Sequence, residues 1–357
     1  MIDSGNSFIN SMIGGSIMAV ASSLHLYLEG KITGISGTIF KCISLKNFSY
    51  SFSFIIGMIF TSSLIKNFFI PNNSNSTFLE NNLTFVEDLS IPGFILAGFL
   101  VGFGAKMANG CTSGHGICGL PRLSKRSFAA ISLFMIFGII MATLKYYIPF
   151  LKPKSVFKVF EGNLINYSTF ALSLIGFVIN SWNVYKNGIQ GLFRDIIISF
   201  LIGVIFAYGL IESGMLQRHI VINFLTIGTI WNPQLMFVLG SAVGINFLTF
   251  NFILKKISKP KFKENYDLPT NKIVDNKLCI GSAIFGTGWG LSGICPGPAV
   301  LTCYLYFPQM AIFFIFLCIG IYLEYYFDSN IENLVNRRKN ISSNINNKFQ
   351  ELKEEIA

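Results

Sequence analysis

What most constrains this chain is a recurring alternation of mostly apolar stretches with glycine-rich polar turns. Each stretch comes close to the roughly 20 residues that a helix needs to cross a bilayer. Candidate spans fall near 8-28, 48-70, 91-108, 127-150, 168-183, 192-212, 232-253, 278-292 and 299-326. Over 357 residues the chain is 52% hydrophobic and only 12% charged, and its mean hydropathy is +0.57. A soluble domain of that length needs more charge to cover its surface, whereas lipid accepts Phe, Ile and Leu facing outward. The sequence therefore predicts an all-α integral membrane protein, set in a lipid bilayer by about nine transmembrane helices. No basic residue precedes Lys31, so the first apolar segment is expected to stay as an anchor rather than leave as a signal peptide.

The formal net charge of +10 comes from short basic clusters between apolar segments, not from a basic domain, and this argues against a nucleic-acid partner. Under the positive-inside rule, the connections holding Lys31, Lys41 and Lys46, then Arg122, Lys125 and Arg126, then Lys255 to Lys263 are expected to be cytoplasmic. The stretch from Asn67 to Pro92 has no Lys or Arg and carries Glu80, Glu87 and Asp88, so it reads as non-cytoplasmic. The run NNSNST and Asn82 form sequons there. The segment 328-357 reads as a polar cytoplasmic tail, and 151-191 as a linker with a connecting helix. The seven cysteines, an odd number lying mostly in or beside apolar stretches, are expected to be free thiols.

Two spans, 91-108 and 278-292, are short and run directly into NGCTSGHGICGLP and SGICPGP. These turns concentrate Gly, Pro, Ser, Thr and Cys too densely for continuous helix, so both segments look like broken or re-entrant helices. Irregular backbone at membrane depth survives only where protein or a water-filled cavity satisfies its polar groups. Gly98, Gly102, Gly281 and Gly290, taken alone, are better read as contact points between close-packed helices. An apolar run with spaced glycines followed by a Gly/Ser turn occurs four times, starting at Gly14, Ala97, Ile202 and Gly281. Such pseudo-symmetric repeats place transporter sites near the midplane.

At these motifs the chain resembles the YeeE/YedE sulfur transport family, roughly from Gly14 to Phe316. Residues 1-150, with GKITGISG and ANGCTSGHGICGLPRLSKRS, look like the family's first membrane repeat pair. Residues 192-327, with FLIGVIFAYGLIESGM and FGTGWGLSGICPGPAV, look like its small partner subunit, so the chain looks like a fusion of two proteins. The resemblance implies a carrier or channel for thiosulfate or a related small sulfur-containing anion, passed along by loop-tip cysteines, and an optional partner in a cytosolic sulfur-carrier protein. Carried over by motif, those cysteines are Cys111 and Cys295. The cysteine that longer members hold in the first loop is missing, because that loop reads GKITGISG.

A thiol is a soft, polarisable donor suited to a terminal sulfur, and backbone N–H groups at Gly-rich tips supply partial positive charge without the grip of a full cation. Around Cys111 and Cys295 the candidate pore set comprises Asn109, Thr112, Ser113, Gly114, Gly293 and Pro296. Asn109, Thr112 and Ser113 could bond sulfonate oxygens, but such residues in a turn more often bond their own backbone. Cys118 stands between a second thiol in the mouth and a packing partner of Pro121. His115 reads as a donor near the pore or a brace for the loop, and the sparse ligand pattern around it argues against a metal site. Cys279, Cys303 and Cys318 read as packing residues. Lys106 and Arg122 are balanced between attracting anions and marking topology, and Glu212 between proton coupling and pairing with Arg218. A membrane-embedded thiol or sulfur-transfer oxidoreductase is the alternative function. No CxxC is present to support it, no GxxxxGK[ST] supports ATP-driven transport, and no cofactor is expected.

Overall fold

A computed structural model describes residues 4–69, 89–148, 163–186 and 190–330. The stretch 70–88 with its sequons, linker residues 149–162 and the tail from 331 lie outside the described residues. Among the described residues the chain is helical and has no strand, only an isolated bridge between Lys31 and Asp267.

Four units follow one plan of long helix, short tip helix and long helix. The first holds α1 (Ser4–Glu29), α2 (Ile35–Ile43) and α3 (Phe48–Leu64), the last continued by a wide π-type turn over Ile65–Phe69. The second holds α4 (Ile91–Met107), α5 (Thr112–Arg122) and α6 (Lys125–Tyr147). After α7 (Asn163–Lys186) come α8 (Gln190–Glu212), α9 (Arg218–Leu225) and α10 (Gln234–Lys256), then α11 (Asn276–Ser292), α12 (Pro296–Thr302) and α13 (Gln309–Asn330). In each unit the chain turns out of its first long helix through a residue in the left-handed region: Gly30 (φ 71), Asn109 (φ 58), Gly214 (φ 75) and Gly293 (φ 69). That conformation closes a helix end, and it suits Gly and, next best, Asn.

Six of the described helices are long and apolar enough to cross a membrane, or up to eight spans if each bent pair counts as one. The bent pairs are α4 with α5, at 47°, and α11 with α12, at 43°, at the two breaks foreseen in the sequence. With both bent pairs counted the total is one short of the nine expected, because α7 is not among the crossing helices. Asn166, Asn180 and Asn183 dilute its apolar character. The span foreseen near 299-326 is two helices, α12 and α13, with Pro308 just ahead of the second.

The units pack crosswise. Helix α1 lies against α8 and α10, and α8 against α1 and α3; likewise α11 lies against α4 and α6. The pairing is antiparallel, because Ser11 donates to Ser213 O while Gly14 meets Gly209. Paired units are therefore inverted relative to each other. Glycine permits the approach: a Cβ at Gly104 of α4 would lie 2.3 Å from Phe285 N, and one at Gly281 of α11 would lie 2.5 Å from Ala108 N. With little hydrophobic drive between helices in lipid, backbone contact of this kind is a main source of association. Gly98, Gly102 and Gly290 press on the backbones of Phe313, Leu317 and Gly138 in the same way.

Gly104→Ala should lower the unfolding temperature of the detergent-solubilised protein, at a cost of about 1–3 kcal/mol from overpacking. Gly244→Ala, where nothing lies within 4 Å of the added methyl, should leave it unchanged or raise it. Equal behaviour of the two variants in a thermal melt would contradict the close-crossing account.

Candidate translocation site

Cys111 and Cys295 occupy the same place in units two and four. Each is the extended residue directly before its tip helix, Cys111 at φ −119 and ψ −170 and Cys295 at φ −89 and ψ 161. Each follows its left-handed turn residue, Asn109 or Gly293, by two positions. Both thiols are buried. The two tips meet where Thr112 Oγ1 donates to Cys295 Sγ at 3.4 Å, while Cys111 Sγ lies 3.2 Å from Ser113 Oγ. The tip of the first unit joins them, because Ile35 N–H donates to Ser113 Oγ at 3.2 Å. A Cβ on either Gly34 or Gly114 would sit 3.9 Å from the other's Cα.

These groups face a cavity of about 40 Å3, lined by Cys111, Thr112, Ser113, Cys295, Pro296 and Gly297 among apolar side chains such as Met18, Leu210 and Met215. No charged side chain lines it. Trp289, which sequence reasoning passed over, also lines it. Its indole N–H is buried and lies beside the Cys295 thiol. The signal was present as the tryptophan in GTGWGLSG, six residues before Cys295.

Several sequence candidates act on the backbone of the broken segments. His115 holds Ser127 Oγ through Nδ1 (3.1 Å) and Ala108 O through Nε2 (3.2 Å), bracing the turn at the end of α4. Cys118 is fully buried and donates to Thr33 O at 3.4 Å, fastening the second tip to the first. Arg122 Nε donates to Cys118 O at 2.9 Å. Asn109 supplies the left-handed turn. Asn246, unremarked in the sequence, donates to Ile117 O and to Ser22 Oγ, both at 2.8 Å, and so ties α10 and α1 to the second tip. At the C-terminal end of α11, Lys145 donates to Leu291 O (3.1 Å) and Arg218 to Ser292 O (2.7 Å), placing cations where the helix dipole favours them. The Arg218 guanidinium also lies 4.9 Å from the centre of the Phe94 ring.

Across the Gly34 and Gly114 contact lies a second cavity of about 340 Å3, walled by Lys31, Lys41, Lys106, Arg122 and Arg126. Burial holds the Lys31 ammonium below the usual lysine range, against the opposing pull of Glu29.

Inverted helix–tip–helix units that meet at thiol-bearing tips define a multi-pass membrane transport protein. Residues 20–141 match the family model described as sulphur transport, and residues 194–340 match one described as a family of unknown function (DUF6691). A probable transporter of Xylella fastidiosa (strain 9a5c) is 43% identical over 99 residues, which cover 28% of this chain and 67% of that relative. A second probable transporter of the same strain is 32% identical over 132 residues, covering 37% of this chain and 90% of the relative. The chain belongs to the YeeE/YedE-like sulphur transport family, and its two parts match two separate family models.

Asn246→Leu should destabilise the protein by about 1–3 kcal/mol, because it strands the Ile117 carbonyl at membrane depth. Asn251→Leu should be close to neutral, since that side chain bonds only Phe247 O within its own helix. A thermal melt in detergent that ranks them the other way would refute the bracing role.

Proposed function

We propose that this chain carries thiosulfate or a related small sulfur-containing anion across the membrane, past the thiols of Cys111 and Cys295. The observation that supports this reading most is their convergence. Two thiols from inverted, equivalent positions reach one small cavity, linked through Thr112.

The chemistry suits a soft anion. A bare dianion is strongly disfavoured in hydrocarbon, and a ring of full cations at a constriction would hold it too tightly to release. The tip cavity instead offers neutral donors: two thiols, the hydroxyls of Thr112 and Ser113, and the indole N–H of Trp289. A terminal sulfur would accept from the thiols and the indole, and sulfonate oxygens from the hydroxyls. The barrier is the joint of Gly34 with Gly114 and Ile35 with Ser113, which separates the tip cavity from the basic one. The basic end faces the cytoplasm on this reading, as the positive-inside rule prefers.

Uptake of radiolabelled thiosulfate into proteoliposomes should therefore fall at least tenfold in Cys111→Ala and in Cys295→Ala, with both variants folded. Wild-type protein that is folded but takes up no thiosulfate would remove it as the cargo. Full activity in both variants would remove the thiol route.

A further inference from the structure

The larger cavity holds an unusual arrangement of charge. Lys31 and Lys41 come from the first unit, Lys106, Arg122 and Arg126 from the second, and all five line one space. The connection between α10 and α11 lies over it. That strap is fastened to the end of α1 by Lys261 N–H to Tyr27 O (2.9 Å), Phe262 N–H to Leu28 O (2.9 Å) and Asp267 N–H to Gly30 O (2.8 Å). It contributes Asp267, Pro269 and Asn271 to the lining.

Counter-charge is only partial. Lys31 pairs with Glu29 and Arg126 with Asp275, each at 3.2 Å. Asp267 is the single carboxylate in the lining. Lys41, Lys106 and Arg122 form no ion pair among the described residues. The Lys106 ammonium lies 3.8 Å from the centre of the Phe40 ring, so an aromatic face and not a carboxylate is its closest partner of that kind. Topology lysines normally snorkel apart toward bulk water. Here cations from two units converge beneath a strap, where like charges raise one another's energy until an anion enters.

We propose that this chamber is an anion-binding site in its own right, separate from the cysteine cavity, and that it holds one small tetrahedral dianion of the sulfate or thiosulfate class. On the transport reading it is the station that an anion occupies on the basic side of the tip joint. The binding does not depend on conduction. Its selectivity follows from charge and size, so sulfate and thiosulfate should bind there alike, whereas the thiol cavity discriminates for sulfur.

The test is equilibrium binding of radiolabelled sulfate, and separately of thiosulfate, to the full chain carrying both Cys111→Ala and Cys295→Ala in neutral detergent. Both dianions should bind at low salt, with affinity falling steeply as ionic strength rises and chloride competing poorly. Lys41→Gln and Lys106→Gln should each weaken binding about tenfold, the scale of one lost charged contact. If Lys106→Gln proves unstable, Lys41→Gln and the salt series carry the test. Folded protein that binds neither dianion, or neutralised variants that bind as well as their parent, would overturn the proposal. Loss of thiosulfate uptake by the cysteine-intact chain with chamber binding retained would count against conduction alone, and uptake without any chamber binding would count against the chamber alone.

Discussion

Every backbone polar group at membrane depth must find a partner inside the protein, and this rule governs the whole architecture. The four helix–tip junctions strain it, because each tip exposes carbonyls and N–H groups that no helix satisfies. The chain answers with side chains brought in from neighbouring elements. Asn246 reaches Ile117 O, His115 reaches Ala108 O, Cys118 reaches Thr33 O, and Lys145 and Arg218 close the end of α11. Such reach requires helices that nearly touch. The glycine crossings of α1 with α8 and of α4 with α11 are thus a condition for having tips at all, and not only a source of packing energy.

Crosswise pairing of the units follows from the same need. A tip inserted from one end of the membrane can be enclosed only by helices that pass it on their way to the other end. Inverted partners provide this, since α1 and α8 run antiparallel and each begins a unit whose tip lies beyond the other's start. The four left-handed turn residues repeat this geometry in sequences that otherwise differ: GKITG, NGCTS, GMLQ and GICPG share little beyond the turn. The fold is conserved among the units through backbone conformation more than through side chains.

That difference explains what the sequence reveals. Apolar length and glycine spacing are local, so the long helices, the breaks after Met107 and Ser292, and the placing of Cys111 and Cys295 at equivalent turns could all be read directly. The short helices α2 and α9 were not, because Lys31 and Lys41 flank or enter one and Arg218 and His219 open the other, giving both the look of polar loops. Partnerships between distant residues leave no local trace. Asn109 stands open in sequence between a pore donor and a residue serving its own turn, Asn246 sits in an apolar run with no visible purpose, and the position of Trp289 beside Cys295 depends on how α11 packs.

The two cavities differ in kind, and on the proposed transport reading the difference bears on how an anion would pass between them. Five basic side chains border the larger one, while the smaller presents thiols, hydroxyls and apolar walls with no charge at all. Charge attracts from a distance and is indifferent to the identity of the ion; neutral donors act only at contact and distinguish sulfur from oxygen by polarisability and reach. Were the cations at the constriction, the dianion would be captured there and held. On the proposed transport route, cations set on the far side of the joint of Gly34 with Gly114 would let capture and recognition occur in different places, so that neither step need be tight where the passage is narrow.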